Sequence, residues 1–263
     1  MGKNVGQFMK YFWFFLFPLF SLFSKESQIF QVSTFSALME GVYDGSMTYE
    51  EVAKQGDFGL GTFNQINGEM VALDGVFYQD SPNGTLSKVQ PSETTPFAVV
   101  TFFKSSFSQK LLSSKNFGHL GKLLLPSIVQ KNTPHALKIE GSFRHLHLRS
   151  LPKQEPPYSD LVQAVKKQNE YDFYDIEGTL VGYYFPEYLN GVNVGGFHFH
   201  FISSDHTKGG HVLEVSTKSG TCYFQPCENL KIHFPNSSSF AEANLSEDLE
   251  EIHDVEQPEL KGY

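Results

Sequence analysis

A β-rich chain of two sheet-containing halves, with short helices set between the strands, is the fold that this sequence predicts. The 263 residues hold 26 Phe, 12 Tyr, 22 Gly and 13 Pro, a composition of frequent strands and frequent turns. Apolar alternation recurs in short runs and seldom in helical stripes. Ile139-Glu140-Gly141-Ser142 is echoed by Ile176-Glu177-Gly178-Thr179, each opening a strand, which fits halves built on related units. A chain of this length buries a substantial core, as one large domain or two closely packed ones. The segments read as 1–24, 25–155 and 156–263, with the Pro-rich stretch 153–159 as linker.

Residues 1–24 stand apart. Lys3 and Lys10 flank the start of an apolar run from Tyr11 to Phe23, too short for a comfortable membrane span and laid out like a secretory signal. Ser24 suits the position before cleavage, whereas Leu22, two before it, does not. Export to the periplasm or beyond is expected, with an uncleaved anchor as the alternative and membrane contact only through this segment. In an exported protein Cys222 and Cys227, the only cysteines, could form a disulfide. A net charge of −9 without long basic runs argues against nucleic acid as a partner.

In chain order, a strand at 29–33 leads into a short helix capped by Ser33 or Thr34 and stopped by Gly41. A second short helix is expected over 48–54. Residues 56–64 form a Gly-punctuated extended segment without the Lys of a phosphate loop. Asn67-Gly68 and Asp74-Gly75 are type I′ turn signals around a strand at 69–73, returned by a strand at 76–79. Glu69 lies at the mouth of that strand, where a solvated edge carboxylate is the commoner outcome. Residues 97–103 read as a buried strand and 108–131 as an interrupted helix. Alternation then puts His147 and Arg149 on one strand face; Arg among apolar neighbours marks carboxylate binding by its fork, or a surface salt bridge. A helix follows at 160–169, and the acidic tail carries Leu245, Leu249 and Ile252 on one helical face.

The chemistry is concentrated between Val194 and Glu214. His198 and His200 sit two apart in an alternating strand, so both imidazoles leave one face, with Cα atoms roughly 7 Å apart. Beyond Gly209-Gly210, His211 opens an answering strand and converges on them if the strands pair. Three imidazoles with open positions make a catalytic metal site. His206, in the turn, competes for the third place. Two hydrogen-bonded imidazoles on a sheet face are the bland alternative. The other spaced pair, His145 and His147, lacks glycine flanks and a third partner.

Taken with Leu38-Met39-Glu40-Gly41-Val42-Tyr43-Asp44-Gly45, Gly56-Asp57-Phe58-Gly59-Leu60-Gly61-Thr62-Phe63-Asn64, Gly68-Glu69-Met70-Val71-Ala72-Leu73-Asp74-Gly75, Arg149-Ser150-Leu151-Pro152 and Gly178-Thr179-Leu180-Val181-Gly182, this cluster resembles bacterial α-acetolactate decarboxylase from about Gln28 to Glu256. The resemblance implies an α+β fold of two tightly associated sheet-containing halves, a homodimer, and a zinc enzyme turning 2-acetolactate into acetoin and carbon dioxide. It places the metal on His198, His200 and His211. It places catalytic roles on Glu69, Arg149 and a C-terminal carboxylate matching Glu256, and substrate contacts on Arg149 and Thr62. The residue set suits that reaction. A metal chelated by the keto and hydroxyl oxygens stabilises an enediolate, Arg149 holds the carboxylate, and Glu69 and Glu256 relay a proton. The alternatives are a cupin-like metal oxygenase, for which the expected following Glu is replaced by Ser204 or Asp205, and a secreted, non-catalytic metal-binding module.

Overall fold

The computed structural model describes residues 2, 27–245 and 255–256. Its first elements are β1 (Gln28–Val32), α1 (Phe35–Met39), β2 (Met47–Thr48), α2 (Tyr49–Ala53) and β3 (Phe58–Thr62). The Thr34 hydroxyl accepts from the Ala37 N–H to cap α1, and Gly41, at φ +78°, ends it. Thr48 and Glu51 form a capping box on α2. Strands β4 (Glu69–Leu73), β5 (Val76–Asp80), β6 (Leu86–Lys88), β7 (Thr94–Thr95) and β8 (Ala98–Thr101) follow.

Asp74 and Gly75 both have positive φ, 51° and 79°, so β4 and β5 meet in the expected type I′ turn. Asn67-Gly68 is not such a turn. Asn67 has φ −77°, and the reversal is spread back over Gln65 and Ile66, at φ 63° and 46°. This longer turn lets the Thr62 hydroxyl donate to the Gly68 carbonyl at 2.7 Å, which fastens the start of β4.

The chain continues through β9 (Phe107–Leu111), α3 (Phe117–Leu124), β10 (His135–Ser150), α4 (Leu161–Val165), β11 (Asn169–Phe185), β12 (Gly196–Ser203), β13 (Gly209–Pro226), β14 (Asn229–His233) and α5 (Ser238–Glu242). The helix expected over 108–131 is thus split. Phe107 to Leu111 alternates and pairs antiparallel with β13. Only Phe117–Leu124 is α-helical, with Asn116 accepting from the His119 N–H at its start and Pro126 just beyond its end.

These strands make an α+β fold of two main sheets. The first runs β14-β1-β8-β3-β4-β5-β6, mixed because β1 and β14 are parallel. The second runs β10-β11-β12-β13-β9 and curls until β10 also pairs with β13. Sheet membership interleaves along the chain: β9 and β10 precede residue 155 yet join the second sheet, and β14 follows it yet joins the first. The stretch 153–159 joins β10 to α4 and β11 of the same sheet, and its Tyr158 packs on Tyr43 with ring centroids 5.2 Å apart. The echoed segments lie within one sheet, Gly141 directly opposite Gly178. A Cβ on Gly141 would come within 2.4 Å of the Ser219 carbonyl, so the echo marks close strand approach.

Three apolar layers result. One fills the space between the sheets, with Val71 and Val99 from the first facing Val181 and Ile202 from the second, closed by α1 and α4. One lies inside the curled sheet, around Phe199, Phe201 and Leu146, and is plugged by α3. The third packs α2 on the outer face of the first sheet. Cys222 belongs to the curled-sheet core and Cys227 to the inter-sheet core; both are buried free thiols, so the disulfide they could have formed is not present. Leu249 and Ile252 of the expected tail helix lie outside the described residues, as does the N-terminal apolar run. Among the described residues no helix is long and apolar enough to cross a membrane.

Candidate active site

Alternation along β12 decides which way the imidazoles point. Phe197, Phe199 and Phe201 enter the curled-sheet core, so His198 and His200 face the first sheet. Pairing of β12 with β13 sets His200 directly opposite His211. One ring nitrogen from each of His198, His200 and His211 then lies within 4.8 Å of the others, all buried. His206 is not part of this group: it stays in the turn at φ 57°, with Nδ1 2.9 Å from the Tyr78 hydroxyl. His145 and His147 are taken up elsewhere, by Asp172 at 2.6 and 3.1 Å and, for His147, by Glu170 at 3.1 Å.

The tautomers of two imidazoles follow from their backbone partners. His200 Nδ1 donates to the Met70 carbonyl at 2.8 Å, and His211 Nε2 to the Glu256 carbonyl at 3.0 Å. Burial lowers the pKa of all three rings, that of His198 to about 3 with the Arg149 charge adding to it. Neutral rings that spend their one N–H on carbonyls leave His200 Nε2 and His211 Nδ1 as bare lone pairs, 3.2 Å apart. Two acceptors face each other with no proton between them, an arrangement that a cation resolves.

Glu69 and Glu256 flank the imidazoles. Among the described residues Glu256 Oε2 has no hydrogen-bond donor, and it lies 3.2 Å from His198 Nε2 and 3.6 Å from His211 Nδ1. With neutral rings these are not ion pairs; the carboxylate oxygen adds a fourth donor atom beside three nitrogens, a set that suits zinc. Glu69 Oε2 is 3.7 Å from His200 Nε2, and its Oε1 is 3.7 Å from Arg149 Nε. Burial, reinforced by Asp80 and Glu256, pushes the Glu69 carboxyl well above its usual range against the opposing pull of Arg149.

Arg149 is 2 % exposed. Its Nη2 donates to Glu256 Oε1 at 2.7 Å and its Nη1 to the Val255 carbonyl, so the fork holds these two residues at the site. Nε has no partner. The cleft is lined by these charged and imidazole groups on one side and by Phe35, Leu38, Phe97, Leu151 and Leu161 on the other. Thr62 also lines it, with its hydroxyl donated to Gly68. Behind Glu69 the hydroxyls of Ser150 and Tyr171 donate to the carboxylate of Asp80; the sequence pointed to neither Asp80 nor Tyr171, and to Ser150 only as part of Arg149-Ser150-Leu151-Pro152. A signal was present: Asp80 shares a strand face with the buried Tyr78, where a carboxylate is out of place.

A buried imidazole triad between two carboxylates and a guanidinium, set between two sheets and closed by an apolar wall, has the make-up of an enzyme centre; a carrier has no use for Glu69 and Arg149 there. The chain belongs to the alpha-acetolactate decarboxylase family, whose sequence model matches residues 29–247, and it is a carboxy-lyase. It is 39 % identical over 233 residues to the alpha-acetolactate decarboxylase of Methylococcus capsulatus, covering 88 % of this chain and 90 % of that one. It is 38 % identical over 222 residues to the Bacillus subtilis enzyme, covering 83 % and 86 %. The crystal structure of alpha-acetolactate decarboxylase from Bacillus subtilis strain 168 superposes with a TM-score of 0.85 at 36 % identity, over 88 % of this chain and all of that one. The cupin-like oxygenase and the non-catalytic module are set aside on this family membership.

Proposed function

We propose that this protein is a zinc-dependent enzyme that decarboxylates 2-acetolactate to acetoin and carbon dioxide. The observation that carries the metal is the pair of bare nitrogens on His200 and His211, with His198 Nε2 and Glu256 Oε2 beside them. Zinc, when bound, supplies Lewis acidity toward the adjacent keto and hydroxyl oxygens of the substrate.

The remaining work falls to the chain's own groups. The unpartnered Arg149 Nε–H is the donor left for the substrate carboxylate, because the fork stays on Val255 and Glu256. One bond is therefore expected there where the residue type suggested two. The apolar wall takes the methyl groups and excludes water, which strengthens the electrostatics on the opposite side. When the carbon–carboxyl bond breaks, its electron pair passes onto the keto oxygen and carbon dioxide leaves. Glu69, kept protonated by burial, delivers the proton to the carbon that lost it. Glu256 turns one oxygen to Arg149 and the other to the imidazoles, which couples the two groups. Thr62 contributes cleft wall and holds the turn that presents Glu69.

An acetoin colour assay on 2-acetolactate tests this, with wild type compared with His198→Ala and His211→Ala. Acetoin from wild type and none from either variant is expected; wild-type rates in both variants would refute it. The working form is proposed to be an exported homodimer. Light scattering that gives a monomer, or residues 1–24 found intact on cytoplasmic protein from the native host, would refute that part.

A further inference from the structure

The carboxylate of Asp80 has no part in the chemistry above. It ends β5 in the first sheet, buried at 5 % exposure, where the two sheets meet. Its Oδ1 accepts from the Glu69 backbone N–H at 2.6 Å and from the Ser150 hydroxyl at 2.8 Å. Its Oδ2 accepts from the Tyr171 hydroxyl at 3.0 Å. Glu69 begins β4, and Ser150 follows Arg149 in β10. One oxygen atom thus ties the backbone of one active-site residue to the chain neighbour of another, across the sheet interface.

Two glycines are kept bare around this carboxylate. A Cβ on Gly68 would come within 2.7 Å of Asp80 Oδ1, and one on Gly210 within 2.1 Å of the Tyr171 hydroxyl and 3.1 Å of Asp80 Oδ2. Backbone closes on it from both sheets. We propose that Asp80 is a positioning residue that sets Glu69 and Arg149 in register across the sheet interface. This rests on the decarboxylase reading.

The role is geometric and predicts which substitution is tolerated. In Asp80→Asn the amide oxygen still accepts from Glu69 and Ser150, and the amide nitrogen donates to the Tyr171 oxygen. The Tyr171 proton then turns to the Gly209 carbonyl, 2.9 Å away. Asp80→Ala offers none of these bonds, and Glu69 is free to drift.

Kinetics on 2-acetolactate with bound zinc counted per chain decide the matter, with wild type measured first. A wild type that forms no acetoin removes the decarboxylase reading, and the inference with it. Given an active wild type, Asp80→Ala is expected to keep its zinc and lose about 10- to 100-fold in kcat, the scale of a reacting group misplaced by about an ångström. KM should change little, and Asp80→Asn should recover most of the loss. Wild-type kcat in Asp80→Ala, or an Asp80→Asn as slow as Asp80→Ala, overturns the inference. If Asp80→Ala does not fold, Ser150→Ala decides: it removes one of the two donors on Oδ1, and an unchanged kcat overturns the inference equally.

Discussion

Glu69 Oε1 lies 3.7 Å from Arg149 Nε, yet among the described residues neither atom has a hydrogen bond. That gap is where a carboxylate substrate can be seated. Arg149→Lys keeps the charge but cannot hold Val255 and Glu256 while also reaching the gap. Loss of a buried charge-assisted pair costs about 2–5 kcal/mol, so kcat/KM should fall roughly 30- to several-thousand-fold. A near-wild-type kcat/KM would make Arg149 purely structural. Glu69→Gln keeps shape but has no proton to give, so kcat should fall while KM and zinc content hold. Zinc lost from Glu69→Gln would instead place Glu69 in support of the imidazoles. Residue types alone pointed to both side chains. They could not show that Arg149's fork is occupied, because its partners arrive from 106 and 107 positions away in sequence.

At the scale of elements, the β12–β13 pair was the most legible part of the chain. Strict alternation from Phe197 to Ile202 dictates two faces, and pairing brings His211 opposite His200 whatever the surroundings. The competition between His206 and His211 was open because a turn's hydrogen bonds are not written in alternation; Tyr78, from the other sheet, settles it. The split of 108–131 was hidden for a related reason, since Phe107–Leu111 becomes a strand only by pairing with β13, more than a hundred residues on. The glycine of β11 beside the site makes a testable point. A Cβ on Gly182 would come within 2.3 Å of the His198 carbonyl and 2.2 Å of the Phe199 ring, so β12 would have to move. Gly182→Ala is expected to lower both melting temperature and zinc content. A variant with wild-type values of both would show that β12 tolerates the shift without disturbing the imidazoles.

Over the whole molecule, two sheets from interleaved stretches of chain bury the site, and burial sets its pH response. The three imidazoles have folded pKa values depressed from 6.5, for His198 to about 3. Below about 6.5 the unfolded chain therefore binds more protons, so their contribution to stability is complete above that pH and is lost as it falls. Glu69 and Asp80 act oppositely, Asp80 rising from 3.8 to about 7, so that stability falls as pH rises through its window. Between pH 4.5 and 6.5 three groups act in that sense against two in the other. Melting temperature should fall from pH 6.5 to pH 4.5; a flat or rising profile would contradict the assignment of neutral, buried rings. Asp80→Asn should gain in melting temperature over wild type more at pH 8 than at pH 5, and an equal gain at both would contradict the raised carboxyl. The interleaving was illegible in the sequence because β9 and β14 join their sheets only by pairing with strands far away along the chain.

The most direct test at this scale follows acetoin release from 2-acetolactate by the full chain before chelation, after it, and after zinc is restored. Activity that disappears with the metal and returns with about one zinc per chain is the expected result. Undiminished activity in metal-free protein would contradict it.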